Sequence, residues 1–282
     1  MNIRRAAATT AVVVAGALAV PAGALAYGSS SGGSPDAVGL TSSGTKLVRF
    51  DTDRPERART LGTVRGLVGD GSLVGIDRRV QNGKLYGVGD RGGIYTLSSR
   101  TGRATKVGQL SIALSGTSFG VDFNPAANAL RIVSNTGQNL RQPFGTTDGP
   151  TVATVADGTL NYMAVTASGV TAAAYTNNDL SPDTATTLFD IDTTMDQVAI
   201  QSPANSGSLA ATGKLGVDAV GDAGFDIYSA VKKGKTVSAS GFATLRVGGV
   251  SALYSVDVLT GKVHNEGRFR SNVSDIAVDL DS

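Results

Sequence analysis

Along most of this chain apolar and polar residues alternate one by one, in short runs separated by clusters of Gly, Asn, Asp and Thr. Alternation with period two is the pattern of a half-buried β-strand, and the residues between the runs are turn formers. No stretch longer than about ten residues carries the 3.6-residue periodicity of an amphipathic helix. One unit recurs within this pattern. Gly75-Ile76-Asp77 is followed by Lys84-Leu85-Tyr86-Gly87-Val88, and Gly120-Val121-Asp122 by Ala129-Leu130-Arg131-Ile132-Val133. The two Asp residues stand 45 positions apart, and in each copy a Leu follows its Asp by 8 positions. A repeat of that length built from short strands marks a β-propeller blade.

The strands group accordingly. A first full blade runs from Leu73 to about Leu110, with strands near 73–77, 84–89, 93–98 and 104–109. Asn82-Gly83 is its hairpin signal, because both residues tolerate the positive φ of a tight turn. A second blade runs from Ser118 to about Val155. A third starts at Leu160 and takes in 170–176, 187–192 and 197–201. A fourth starts at Gly224-Phe225-Asp226 and takes in 242–247, 253–258 and 262–269. Two fragments remain. Residues 37–42, 46–51 and 59–64 resemble the second, third and fourth strands of a blade without its first, and 273–280 resembles an innermost strand without a blade. The sequence therefore predicts an all-β, five-bladed β-propeller closed by pairing of the C-terminal strand with the N-terminal blade. A sixth, irregular blade within 200–225 is the alternative. Asp51, Asp192 and Asp257 end the third strands, where they accept turn N–H groups.

Residues 1–26 read as a signal peptide. Arg4 and Arg5 precede the apolar run Ala11–Val20, Pro21 breaks it, and Ala24-Leu25-Ala26 is an A-x-A cleavage signature, so cleavage falls after Ala26. An uncleaved anchor is the competing reading, but the run is shorter than the roughly 20 residues of a spanning helix. Residues 27–36 are expected as a flexible leader and 37–282 as one propeller domain. Removing Arg4 and Arg5 from 25 basic residues leaves 23 against 23 acidic ones. That balance argues against nucleic-acid binding. Arg54, Arg57, Arg59, Arg65, Arg78 and Arg79 crowd one region and are expected to solvate a strand edge. The chain has no cysteine, so an exported domain must be held by its core rather than by disulfides. A secreted monomer is expected, with no membrane span after signal cleavage.

The stretch 115–125 (Ser-Gly-Thr-Ser-Phe-Gly-Val-Asp-Phe-Asn-Pro), continuing through Ile132-Val133-Ser134-Asn135-Thr136-Gly137-Gln138-Asn139-Leu140-Arg141, resembles the signature of a bacterial domain-of-unknown-function family, number 4394 (DUF4394). Ala174-Tyr175-Thr176-Asn177-Asn178, Leu215-Gly216-Val217-Asp218 and 248–254 resemble further segments of it. The resemblance spans about 37–282 and implies a secreted or surface propeller-like domain. It implies no activity, substrate or catalytic residue.

Motif chemistry adds little. Gly116-Thr117-Ser118-Phe119-Gly120 matches G-x-S-x-G, but a nucleophile elbow has a strand before it and a helix after it, and here a strand follows. His264 is the only histidine, which leaves no ordinary zinc or copper site. Gly87-Val88-Gly89-Asp90-Arg91-Gly92 matches G-x-G-x-x-G in a hairpin with no helix behind it. Asn177, Asn178, Asp179, Asp183, Asp190, Asp192 and Asp196 form an acidic, amide-rich run. That run makes calcium the candidate cofactor, against the reading of a solvated loop; its spacing fits no EF-hand.

Two groups remain. Asp77, Asp122, Asp226 and Asp279 stand near the end of the innermost strand in four of the five blades, with Tyr162-Met163-Ala164 at that place in the third. Facing the channel they would bind a cation or act as acid and base; turned away they would cap turns. Asn124, Arg131, Ser134, Asn135, Gln138, Asn139, Arg141, Thr176, Asn177 and Asn178 break the symmetry of the repeat. They suit a small molecule, or an envelope or extracellular partner, held by hydrogen bonds; bonding within a long loop is the competing reading. The sequence thus predicts a non-catalytic propeller binding a ligand at one mouth. The alternative is an extracellular glycoside hydrolase or lyase using the channel carboxylates.

Overall fold

The computed structural model describes residues 34–281; the expected signal peptide, its cleavage point and most of the leader lie outside the described residues. The leader ends earlier than expected: the Pro35 carbonyl accepts the Thr52 N–H, and Asp36 already opens a strand. Five four-stranded antiparallel sheets make a five-bladed β-propeller. Blade 1 holds Leu73–Arg78, Leu85–Gly89, Gly93–Leu97 and Ala104–Gln109. Blade 2 holds Phe119–Asn124, Ala129–Ser134, Asn139–Pro143 and the short Val155–Ala156. Blade 3 holds Val170–Tyr175, Leu188–Asp192, Gln197–Gln201 and Leu209–Lys214. Blade 4 holds Gly224–Lys232, Lys235–Val247, Val250–Val256 and Val263–Arg268. Blade 5 is assembled from both ends: innermost Val273–Val278 pairs with Asp36–Thr41, in the register Ala37 to Val278 and Gly39 to Ile276, followed by Lys46–Asp51 and Arg59–Thr63.

Blade 3 departs from the sequence expectation. It starts at Val170, not Leu160. Asn161–Tyr162 and Val165–Thr166 form a separate two-stranded hairpin, whose turn residues Met163 and Ala164 both take left-handed backbone (φ 49 and 69). The 200–225 region supplies the outer strand of blade 3, Leu209–Lys214, so no sixth blade forms there.

The core is divided among five interfaces between neighbouring blades. Blades 1 and 2 meet through Tyr86, Val88, Phe123, Ile132 and Phe144, with the three rings in edge-to-face contact at 5.1–5.7 Å. Blades 3 and 4 meet through Phe189, Ile191, Phe225, Ile227 and Leu245. Blades 5 and 1 use Leu40, Leu47, Ile76, Leu85 and Tyr95, and blades 4 and 5 use Phe50, Phe242, Phe269 and Ile276. Between blades 2 and 3 the apolar group around Val133, Val170, Tyr175 and Leu188 is joined by a buried guanidinium, Arg131. A second arginine is also internal. Arg79 is 1% exposed, lies over the Phe144 ring at 4.9 Å, and donates to Asn128 and to the Gly145 and Thr147 carbonyls. It is a buried tie between turns rather than part of a solvated edge.

The recurrent glycines mark where innermost strands crowd together. A Cβ on Gly120 would stand 2.5 Å from the Ala173 amide nitrogen and 2.8 Å from the Ala172 Cα. Gly75 is shielded in the same way by Val121, and Gly224 by the Asp275 backbone. These glycines are needed for close approach, not for a positive φ. Overpacking of this kind, against backbone that cannot rotate away, costs about 1–3 kcal/mol. Gly120→Ala is therefore expected to lower the melting temperature by about 5 °C in a domain of this size. A variant that melts with the wild-type protein would show that the two strands have room for a methyl group.

Candidate functional site

Each innermost strand pairs with the second strand of its blade along one edge; its other edge faces the axis. Amides on that free edge have no ladder partner and little water, yet a buried N–H must be satisfied. Carboxylates from adjoining blades satisfy them. Asp77 accepts the Phe123 N–H at 2.7 Å, and Asp122 the Tyr175 N–H at 3.1 Å. Asp226 accepts the Val278 N–H at 2.6 Å, and Asp275 the Ile76 N–H at 2.7 Å. Blade 1 is thus laced to 2, 2 to 3, 4 to 5, and 5 back to 1. Blade 3 has Ala172-Ala173-Ala174 where blades 1, 2 and 4 have Gly-x-Asp. There the tie to blade 4 comes from Asn178, whose side-chain amide donates to the Ile227 carbonyl at 3.0 Å and whose backbone N–H donates to Ser229 Oγ.

Asp279 is not in this ring. It lies beyond the end of Val273–Val278 and bridges Arg49 and Arg78. Ala277 occupies the repeat position of blade 5, and the carboxylate that enters the channel is Asp275, two residues earlier on the same face of the strand. Asp77, Asp122 and Asp226 bring carboxylate oxygens within 4.8 Å of one another, all three buried. Burial, reinforced by neighbouring carboxylates, pushes Asp77, Asp122 and Asp275 well above the ordinary Asp range. Burial raises Asp226 to about 6, against the pull of its backbone donors. With one oxygen of Asp77 and of Asp122 and both oxygens of Asp226 already engaged by N–H groups, the three offer fewer free donors than the six to eight oxygens calcium takes.

Most of the other sequence candidates serve the scaffold. Asn124 caps the turn at Ala127, and Ser134 is fully buried beside Thr136. Asn135 accepts the N–H groups of Thr117 and Ser118. Gln138 clasps Ser115 and Ala113, while Asn139 and Arg131 bond each other. Arg141 shares Asp157 with Arg131. Thr176 and Asn177 pin their own loop at Thr187 and Ala185. These residues do not converge. Asn135 stands at the mouth where innermost strands begin, whereas Asn124, Thr176, Asn177 and Asn178 stand where they end. The acidic 177–196 run also separates. Asp179 holds Thr236, Asp183 pairs with Lys235, Asp192 caps Thr194 and Met195, and Asp196 accepts the Ala219 N–H. Asp190 is fully buried on the second strand of blade 3, with its pKa well raised by that burial.

Two adjoining hollows open at the mouth where the innermost strands begin. One, of about 160 Å³, sits over the channel and is lined by Ser42, Ser43, Ser72, Thr117, Ser118, Asp222 and Ser274 among others. The second, of about 330 Å³, lies over blades 2 and 3 and is lined by Ser118, Asn135, Thr171, Thr193, Thr194, Asp196 and Asp218 among others. Ser118 lines both and donates to Asp222. Neither is lined by Lys, Arg or His. Ser118 and Asn135 were visible as motif residues. Asp218 stands in a segment that resembles the family, but Asp222 and the Thr171/Thr193 pair carried no sequence signal, because nothing local marks such residues as lining a mouth.

A family model described as a domain of unknown function, DUF4394, matches residues 46–277. Among solved structures, one from the nidogen/laminin complex superposes with a TM-score of 0.49 at 9% identity, over 88% of this chain and 99% of that one. An auxiliary nutrient binding protein from Bacteroides thetaiotaomicron VPI-5482 does so with 0.45 at 13% identity, over 87% and 64%. Kuenenia stuttgartiensis hydrazine synthase gives 0.38 at 10% identity over 73% of this chain, which spans about half (52%) of that one. No curated protein matches the sequence. Likenesses this distant carry no ligand across.

The ring predicts a pH dependence. A carboxyl whose native pKa is raised binds more protons in the folded than in the unfolded state, so stability falls as pH rises. Its contribution is complete below the ordinary value of 3.8 and is lost as pH climbs through the raised pKa, about 6 for Asp226. Asp122→Asn keeps an oxygen for the Tyr175 N–H without the charge. It is expected to melt above the wild-type protein at pH 8 and to flatten the slope of melting temperature between pH 4 and pH 8, whereas Asp122→Ala lowers the melting temperature throughout. A wild-type melting temperature that does not fall across that range would contradict the raised pKa values.

Proposed function

The chain belongs to the DUF4394 family of domains of unknown function, and we propose that it is a secreted, non-catalytic binding protein whose ligand sits at the mouth where the innermost strands begin. The observation that carries this reading is the pair of polar hollows that share Ser118. Their lining offers hydroxyls, an amide and the carboxylates of Asp196, Asp218 and Asp222, with no cationic side chain. Such a surface favours a small solute rich in hydroxyl or amine groups, uncharged or cationic, and repels anions. Secretion rests on Arg4-Arg5, the apolar run and Ala24-Leu25-Ala26.

Binding fits the geometry better than hydrolysis. A glycosidase places two carboxyl groups roughly 5–10 Å apart on either side of a sugar bond. Here the channel carboxylates gather within 4.8 Å, at most 5% exposed, and are tied to backbone amides. A sugar ring has no way between them.

A thermal-shift panel of neutral mono- and disaccharides, polyols and polyamines tests the reading. A true ligand at a hundredfold excess over its Kd adds about 2.7 kcal/mol of apparent stability. Asp218→Ala and Thr194→Val, both at exposed lining positions, are expected to weaken that ligand at least about tenfold while leaving the unliganded melting temperature unchanged. A ligand that binds both variants as tightly as the wild-type protein would place the site elsewhere.

A further inference from the structure

The opposite end of blade 1 has the reverse chemistry. Where its innermost strand ends, a hollow of about 430 Å³ is lined by Arg78, Lys84, Arg100 and Arg103, with Ser99 and Thr105 among its hydroxyl residues. Every charged side chain in that lining is a cation. Arg100 and Arg103 flank the turn Thr101-Gly102, and neither guanidinium has a hydrogen-bond or ion-pair partner among the described residues. The turn that carries them is held firmly. Ser98 Oγ accepts the N–H groups of Arg100 and Thr101, the Gly102 carbonyl accepts the Arg65 N–H, and Gly102 takes the left-handed backbone (φ 71) the turn requires. Arg78 adds a guanidinium that donates to the Gly83 carbonyl and pairs with Asp279, and its own Nε is buried without a partner.

The neighbouring blade shows what a self-sufficient version of this surface looks like. At the corresponding end of blade 5, a hollow of about 340 Å³ is lined by Arg49, Arg54, Arg57 and Arg59, but Asp36 and Asp51 share the lining. Asp36 pairs with Arg49 at 2.8 Å, and Asp51 with Arg54 at 2.9 Å. No carboxylate lines the blade 1 hollow, and its two outer cations pair beyond it, Arg78 with Asp279 and Lys84 with the exposed Asp148. Arg100 and Arg103 are left without a counter-charge, and two unpaired guanidinium groups around one concavity repel one another unless an anion sits between them. Planar guanidinium forks on a rigid turn match the oxygens of a phosphate in bidentate fashion.

We propose that this hollow is a second binding site, for a multiply charged phosphate group, whether on a free phosphorylated molecule or on a lipid headgroup. It lies at the far end of the ring from the carboxylate- and hydroxyl-lined mouth and takes the opposite charge, so either site stands if the other fails.

Calorimetric titration of the protein with inorganic pyrophosphate at low salt tests it, beside co-sedimentation with vesicles containing phosphatidic acid, whose headgroup is a phosphomonoester. The expected result is saturable pyrophosphate binding, weakened at least about tenfold in Arg100→Ala/Arg103→Ala and partly recovered in the paired lysine variant. Both positions are exposed, so the melting temperature should not change. Arginine-dependent sedimentation with vesicles, without pyrophosphate binding, supports the site with a headgroup as its source. No binding to either probe, or binding that the double alanine variant retains in full, overturns the proposal.

Discussion

Unpaired amides along the axis set the terms for this structure. A ring of innermost strands, each paired on one edge only, turns a row of N–H groups toward a channel too narrow to hydrate them. The repeated Gly-x-Asp answers both sides of the problem. Gly75, Gly120 and Gly224 let the strands come close, and Asp77, Asp122 and Asp226 reach across to accept the exposed amides. Closeness creates the buried donors, and the carboxylates that satisfy them bring a second difficulty, mutual repulsion in a low-dielectric space. The axis is stable only to the extent that protons or another positive charge relieve it.

The architecture was largely legible in the sequence because its signals are local. Period-two alternation, Asn82-Gly83 and the 45-residue offset between Asp77 and Asp122 need no knowledge of distant partners. The failures all came from long-range pairing. In blade 3 the repeat position is Ala174, so the unit that marks the other blades was sought too early, in what is a separate hairpin. Near the C-terminus Asp275 and Asp279 lie four residues apart on one strand pattern, and only the register against Asp36–Thr41 shows which one reaches the axis. Arg79 and Arg131 look like surface residues by type. Their burial depends on carbonyls and side chains 26 to 74 positions away, such as Gly145, Asp157 and Asn205.

The candidate site was less legible for a related reason. The residues that stand out in the second blade, from Asn135 to Arg141, are conspicuous because a loop rich in amides must satisfy itself. Gln138 spends its amide oxygen and an amide N–H on Ser115 and Ala113, and Asn139 bonds Arg131 and the Gly158 and Ala204 carbonyls. The residues left with capacity to spare are ordinary Ser, Thr and Asp in the turns that meet at the mouth. The two ends of the ring also differ in sign, with carboxylates over the channel entrance and arginines where blades 1 and 5 end. That polarity arises from turns far apart in sequence and vanishes in a net charge near zero.

Blade 5 has an implication for how the chain acquires this shape. The strand Asp36–Thr41 is made early, but its inner neighbour Val273–Val278 is the last strand of the ring. Until that segment arrives, the amide of Ile76 and the carboxylate of Asp226 both lack the partners they have in the finished ring. Blades 1 to 4 contain all their own hairpins and can form as they emerge, yet they meet an open gap where two interblade cores remain exposed. The final step therefore brings together contacts more than 200 residues apart, and a partly made ring has little to gain by stopping short. Such a domain acquires its stability only once the whole length of the chain is present.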